Sequence, residues 1–396
     1  MTFLHTLNSY IYVEFHYILV QIMGVSMEIN KIEAYSFRIP LVEEFRIALG
    51  ASVEHTGVIV KIYTDEGIIG LGEAAPSARI TGETTETVLG VISKLKGLLL
   101  GACPLEYRRI IENIDNSIIG NPSAKAALDM AIFDIVAKKY NVPLYRLLGA
   151  SENSFETSVT IGIMPHDRAI QKAQKYIEQG IRILKIKIGT NAPKDIELLK
   201  KIRQTVGDDI RIRIDANQGY TTKQAIRVLR AVEGLDIEFC EQPVHWRDID
   251  GLREVRMHTE IPIMADESVH TPRDAIEVIK REAADMINIK IMKAGGILNA
   301  LKIADICDVY GIKCQIGCMS ETQIAIAAGV HVAVAARAIA FSDLDGYLFM
   351  KDQVALGIEF DGLKNTLPSK AGLGIELKED TLKKYTISSM KFEGRK

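Results

Sequence analysis

Eight short apolar segments recur along the second half of the chain, and each carries a polar residue at or near its carboxyl end. They are TSVTIGI (157–163), ILKIKIG (183–189), IRIRIDAN (210–217), IEFCEQP (237–243), IPIMADES (261–268), MINIKIMK (286–293), KCQIGCMSE (313–321) and AIAFSDLD (338–345). The polar marks are Thr160, Lys187, Asp215, Glu241, Asp266, Lys290, Ser320 and Asp343. Neighbouring marks lie 23–30 residues apart, the length of one strand-plus-helix unit. Between the segments the period turns helical: in PKDIELLKKIRQTV (193–206), Ile196, Leu199, Ile202 and Val206 form one stripe. TPRD at 271–274 has the form of a helix start, with Thr271 as N-cap and Pro272 in the first turn. Eight such units predict a parallel barrel with helices outside, whose active site sits at the carboxyl ends of the strands. That end is where the marks gather.

Residues 27–150 have a different grain. GVIVKIYTDEGIIGLGEA (57–74) predicts a hairpin turning at DEG, and 124–150 predicts two helices broken at NVP. Strands followed by helices indicate an α+β cap. The tail, 351–396, leaves the repeat in short strand-like pieces and is expected to return to the cap. The expected division is therefore an extension (1–26), a cap (27–150), a barrel (151–350) and a returning tail (351–396). The extension is apolar but broken by His5, Glu14 and His16, and it lacks the basic start of a secretory signal. Met27 opens an alternating strand pattern, so the functional protein is expected to begin near it.

A net charge of −3 gives no reason to expect nucleic acid or an anionic membrane as partner. Five scattered cysteines argue against a disulfide framework and for a reducing, cytoplasmic setting. Cys314 and Cys318 lack the companions of a zinc site and read as small apolar strand residues.

In ILKIKIG, Lys185 and Lys187 share one face of a strand among isoleucines. Burying a lysine can depress its pKa by up to about 3–5 units, at about 1.4 kcal/mol per unit. Such lysines either reach water or do chemistry. Asp215, Glu241 and Asp266 end three consecutive strands, about 4.8 Å apart in a sheet. Three converging carboxylates need a cation, and an all-oxygen set suits Mg²⁺, with Mn²⁺ as the alternative. Asn217 and Glu267 adjoin these ligands as supporting or spare donors. Lys187 lies on one side of the triad and Lys290, with Asn288 on its face, on the other. Lys293 falls beyond its strand and reads as a loop or surface lysine. A nearby divalent ion lowers an ammonium pKa and makes a neutral amine accessible as base.

Two bases across a metal suit proton transfer at a carbon next to a carboxylate. General-base catalysis supplies roughly 10²–10⁴-fold, about 3–5 kcal/mol, which is less than the roughly 8–23 kcal/mol enzymes commonly provide. The metal must carry a large share by stabilising the enediolate. One lysine on each face gives inversion: racemisation or epimerisation.

With these residues in hand, the chain from Met27 onward resembles the enolase superfamily, in its muconate lactonising subgroup. The resemblance runs through KIKIG, DANQGY, EQP, ADES, NIKIMKAGGI and GCMSET. It implies a (β/α)7β barrel with an α+β cap built from both chain ends. It implies Asp215, Glu241 and Asp266 as Mg²⁺ ligands and Lys187 and Lys290 as acid and base. Lys185 then assists Lys187 or touches the substrate carboxylate. Thr160 and Ser320, polar marks on the same rim, are further expected substrate contacts. In SDLDG (342–346), Asp343 and Asp345 face the same way and suit an ammonium group. This D-x-D is similar to that of dipeptide epimerases, which implies a dipeptide substrate inverted at its C-terminal residue. Cycloisomerases and o-succinylbenzoate synthases of the same subgroup are the alternative. Enzymes of this type that accept Ala-Glu carry an arginine in the first cap loop, where this chain has Gly50; Arg46 and Arg79 stand elsewhere. Glu43, Glu44 and Glu54 permit a cationic substrate side chain, and Ile47, Ala48 and Leu49 an apolar one. Sequence alone leaves that choice open. A homo-oligomer is admissible, since barrels of this size often associate.

Overall fold

The computed structural model describes residues 27–394; the 1–26 extension lies outside the described residues. Alternation builds the first sheet. Strands β1 (Ile29–Ile47), β2 (Gly50–Thr64) and β3 (Ile69–Ala74) pair as an antiparallel meander. Ile32 and Ala34 are buried along β1; past the Ser36/Phe37 irregularity the buried set changes phase to Phe37, Ile39 and Leu41. DEG does form the turn, with Gly67 at φ +79°. The helix Pro122–Lys139 lies against β3 so closely that a β-carbon on Gly72 would run into the Ala127 carbonyl. Helices Thr85–Leu99 and Tyr107–Ser117 complete this core with Val88, Ile92, Ile110 and Ile114.

After a short strand β4 (Ser154–Glu156) come eight parallel strands. They are β5 (Val159–Ile161), β6 (Ile183–Lys187), β7 (Arg211–Asp215), β8 (Ile237–Glu241), β9 (Ile263–Ala265), β10 (Met286–Lys290), β11 (Lys313–Gly317) and β12 (Ile339–Asp343). Each falls inside its anticipated segment, and they lie side by side in chain order. A helix crosses over between each consecutive pair, as in His166–Glu178 and Ala192–Val206. The helix Pro272–Lys280 begins with the expected Thr271 cap, reciprocated by Asp274. The ring closes without a ladder between β12 and β5. There Ser158 N donates to Ser342 O at 3.3 Å, and Thr160 N to Asp345 Oδ2 at 2.7 Å.

In the tail, β13 (Ala355–Leu356) pairs with β16 (Glu376–Leu377), while β14 (Glu359–Phe360) and β15 (Lys364–Thr366) join β4. The last strand, β17 (Thr386–Glu393), adds to the cap sheet beside β1.

Two buried carboxylates from the cap orient barrel helices. Glu73 accepts from Thr322 N (2.8 Å), Thr322 Oγ1 (2.6 Å) and Ala325 N (3.1 Å) at the start of helix Gln323–Ala335. Asp129 accepts from Ile297 N at 2.6 Å, at the start of helix Ile297–Val309. Capping of this kind satisfies donors that a helix cannot satisfy itself. The first cap loop, residues 43–55, is the tip of the β1–β2 hairpin, with Ile47 opposite Gly50. It docks on the barrel mouth through Ile163 N donating to Arg46 O at 2.7 Å.

Candidate active site

The barrel interior is layered because successive inward residues sit two apart on each strand. Its lowest layer is apolar: Phe239, Met264 and Met286, with Phe341 against them. Arg213 crosses that layer between the Phe239 and Phe341 rings and donates to Ser342 O at 2.8 Å, tying β7 to β12. Above it the interior turns polar. Glu241 accepts from Asn288 Nδ2 at 2.9 Å and Gln315 Nε2 at 3.0 Å. Lys185, fully buried, sets its ammonium 2.9 Å from Glu241, 3.1 Å from Asp215 and 2.5 Å from Asp343. Three carboxylates use its three donors, and it does not reach the cavity described below. In this arrangement it lies beneath the cavity as the partner of those three carboxylates.

The top layer holds the marked residues. Lys187 Nζ lies 2.6 Å from Asp215 Oδ2, and Lys290 Nζ lies 2.7 Å from Asp266 Oδ2. Asp215, Glu241 and Asp266 are all fully buried. Burial acts to raise Asp215 and Asp266, but lysine ammoniums outweigh it and hold both well below the usual carboxylate range. Glu241 differs: burial, then the Asp215 charge, push it up to about 8. Burial works to lower Lys290, but Asp266 and Glu241 overcome it and raise its pKa.

Lys293 departs from the sequence expectation. It is 2% exposed, not a surface residue. Its ammonium pairs with Asp266 Oδ1 at 2.6 Å and donates to the carbonyls of Asp266, Val269 (2.9 Å) and Asn288 (3.0 Å). The cause is the short turn after β10: the helix Ile291–Ala294 carries Lys293 back under the loop that follows β9.

The donor chemistry fits a hard divalent cation. Besides the three carboxylates, Asn217 Oδ1, Glu267 Oε2, Asn288 Oδ1 and Gln315 Oε1 are buried without a hydrogen-bond partner. A hydrated cation would satisfy such oxygens. As they stand, no three acidic, histidine or cysteine side chains among the described residues are arranged to cage an ion. The carboxylates turn toward Lys185, Lys187, Lys290 and Lys293 instead. Asn217 and Glu267 do adjoin the triad: Asn217 N donates to Asp215 Oδ1 at 2.8 Å, and its side chain to Glu267 at 3.3 Å.

A cavity of about 430 Å³ lies between barrel mouth and cap, within the range of small-ligand sites. Its walls include Lys187, Lys290, Asn217, Thr160, Ser320, Asp343 and Asp345. Asp343 accepts from Ser158 Oγ (3.1 Å) and Thr160 Oγ1 (3.4 Å). Burial would raise Asp343, but Lys185 and Lys187 hold it low; burial and then the Asp343 charge push Asp345 up to about 7. The pair thus offers one firm negative charge and one adjustable carboxyl. Cys318, read from the sequence as a small apolar strand residue, follows the strand Lys313–Gly317 and lines the cavity, as does Phe349, which sequence reasoning did not single out. Gln315, a polar residue on the inward face of β11, belongs to the site as well.

Comparison with known proteins follows this geometry. Residues 31–149 match the mandelate racemase / muconate lactonizing enzyme N-terminal domain, and residues 168–381 the enolase C-terminal domain-like family. An L-Ala-D/L-Glu epimerase of Clostridium acetobutylicum is 42% identical, covering 85% of this chain and 96% of that protein. An N-succinyl-L-Arg/Lys racemase of Bacillus cereus is 39% identical over 91% of this chain and 98% of its own length. The crystal structure of an Enterococcus faecalis dipeptide epimerase, complexed with Mg and the dipeptide L-Leu-L-Tyr, superposes with a TM-score of 0.86 at 40% identity. It covers 88% of this chain and 99% of that one. With both domains matched and relatives of this identity spanning nearly all of the described residues, the chain belongs to the mandelate racemase / muconate lactonizing enzyme family of the enolase superfamily.

Proposed function

We propose that this chain is a Mg²⁺-dependent dipeptide epimerase that inverts the α-carbon of the C-terminal residue. One observation carries the reading. Lys187 and Lys290 line the same cavity, yet come from β6 and β10, four places apart in a ring of eight. Four places in eight is the opposite wall. An α-carbon held between them presents one face to each amine.

Asp215, Glu241 and Asp266 would hold the cation, with Asn217 and Glu267 beside them. When bound, the cation supplies Lewis-acid stabilisation of the charge that develops on the substrate carboxylate. The chain's own residues do the rest. Lys187, as a free amine, takes the α-proton from one face, and Lys290, as an ammonium, returns a proton to the other. The reverse reaction exchanges the roles. Lys185 stays protonated: burial opposes its charge, but Asp343, Glu241 and Asp215 raise it well above the ordinary lysine value. It therefore serves as a fixed counter-charge. Asp343 and Asp345 receive the ammonium of the N-terminal residue, and Thr160 steadies both carboxyls. The D-x-D pair favours an ammonium-bearing substrate over the dicarboxylates that a cycloisomerase handles.

The test is a dipeptide library incubated with enzyme and Mg²⁺ in deuterium oxide, read by mass spectrometry. Deuterium should enter the α-position of C-terminal residues, stop with EDTA and resume with added Mg²⁺. Exchange on N-acylated or non-amino substrates but on no free dipeptide would reject the reading.

A further inference from the structure

Resting on the epimerase reading, we infer that Arg79 is the specificity-determining residue of the cap, and that the epimerised residue of the substrate carries an acidic side chain. Most charged side chains near the cap rim are already paired. Glu43 pairs with Arg168 and Lys172, and Glu44 with Arg46. None of these five residues lines the cavity. Of the acidic and basic side chains that the cap contributes to the wall, Glu54, Arg79 and His55, which lies 3.5 Å from Glu73, remain. Glu54 is neutralised by Arg38 at 3.1 Å. Arg79 has no ion pair or hydrogen bond among the described residues. The acids that would suit a cationic substrate are spent, and among the described cap residues on the wall the uncompensated charge is a guanidinium.

Gly50 explains how it gets there. Its φ of +142° disfavours any side chain, and a β-carbon built on it would overlap the Arg79 guanidinium, 2.7 Å from Cζ. The hairpin tip therefore leaves a gap at position 50, and the 76–83 segment fills it with the head of Arg79. Ile47, Leu49 and Ile80 line the wall around this head, as methylenes of a side chain ending in a carboxylate would require.

Substrate geometry points the same way. The α-carbon has four substituents. The hydrogen must face a lysine, the carboxylate the cation that Asp215, Glu241 and Asp266 would hold, and the nitrogen side the Asp343–Asp345 wall. The fourth, the side chain, is left facing the cap. A carboxylate there meets a planar donor fork suited to bidentate pairing.

The experiment compares kcat/KM for L-Ala-L-Glu, its neutral isostere L-Ala-L-Gln, L-Ala-L-Leu and L-Ala-L-Lys, by chiral chromatography. The wild-type enzyme should favour Glu over Gln by about 10- to 100-fold, the worth of a charge-assisted pair. Arg79→Gln should bring that ratio to about 1, and Arg79→Lys should keep part of it. Gly50→Val, which collides with the guanidinium, should also lower the ratio. Arg79→Glu should shift preference toward L-Ala-L-Lys, a change that loss of structure alone cannot produce. Epimerisation of neutral or cationic dipeptides as good as that of L-Ala-L-Glu overturns the inference while leaving the epimerase reading standing. So does an Arg79→Gln enzyme that keeps the wild-type ratio. No α-exchange on any dipeptide overturns both.

Discussion

Lys293 gives the sharpest test of the site's architecture, because spacing along the chain and the folded geometry assign it opposite roles. Lys293→Met keeps the length of the side chain and removes its charge. What is lost is explicit: one buried ion pair to Asp266 and three donations to backbone carbonyls. Removing one partner of a buried pair typically costs about 3–5 kcal/mol. Each carbonyl left dry would add about 1–3 kcal/mol if nothing relaxed. Asp266 keeps Lys290 at 2.7 Å, so the lower range is the better guide. A loss of about 3–5 kcal/mol would lower the melting temperature by roughly 6–20 °C, scaling from domains of about 150–250 residues. Urea unfolding followed by circular dichroism reads the change directly. Lys201→Met is the control, since Lys201 is half exposed and pairs with an exposed Glu197; such a change stays within about 0.5 kcal/mol. A Lys293→Met enzyme as stable as the control would show that Lys293 is solvated after all, and that the loop after β9 is not built on it.

His331 is buried and takes a hydrogen bond from Tyr145 N at 2.9 Å, and burial pushes its pKa down to about 4. The unfolded chain binds the proton near pH 6.5, so stability is full above that value and falls as pH drops toward 4. The gap is worth about 3 kcal/mol. Urea midpoints at pH 7 and pH 4 should diverge less in His331→Gln than in the wild type; equal slopes would reject the assignment. Gly72→Ala should destabilise the cap by about 1–3 kcal/mol, because the new methyl meets the Ala127 carbonyl; an unchanged melting temperature would mean the helix stands further off. Asp345→Asn should lower kcat/KM for free dipeptides far more than for their N-acetyl forms; an equal loss on both would remove the ammonium from that wall.

Much of this was legible in the sequence because period and position carry it. The barrel strands announce themselves by apolar runs at even spacing, and the carboxylates and lysines at their ends share one rim. Whatever depends on loops closing in space was not legible. Lys293 is three residues past Lys290, and only the turn after β10 turns it inward. Lys185 reads as a second lysine near the substrate, yet three carboxylates from three other strands converge on it below the cavity floor. Glu43, Glu44 and Glu54 look like free acids in a row; their partners lie elsewhere in the fold or two residues on, where no period reveals them. Arg79 and Gly50 are 29 positions apart, and their contact depends on two cap segments meeting over the mouth.

The central claim is that two amines address opposite faces of one carbon. It is tested most directly by following α-deuterium exchange separately on the L,L and L,D forms of one dipeptide with Lys187→Ala and Lys290→Ala. The account predicts that neither variant epimerises, and that each exchanges at most one of the two epimers, a different one for each variant. If either variant exchanges both epimers, or both variants exchange the same one, the lysines do not work from opposite walls.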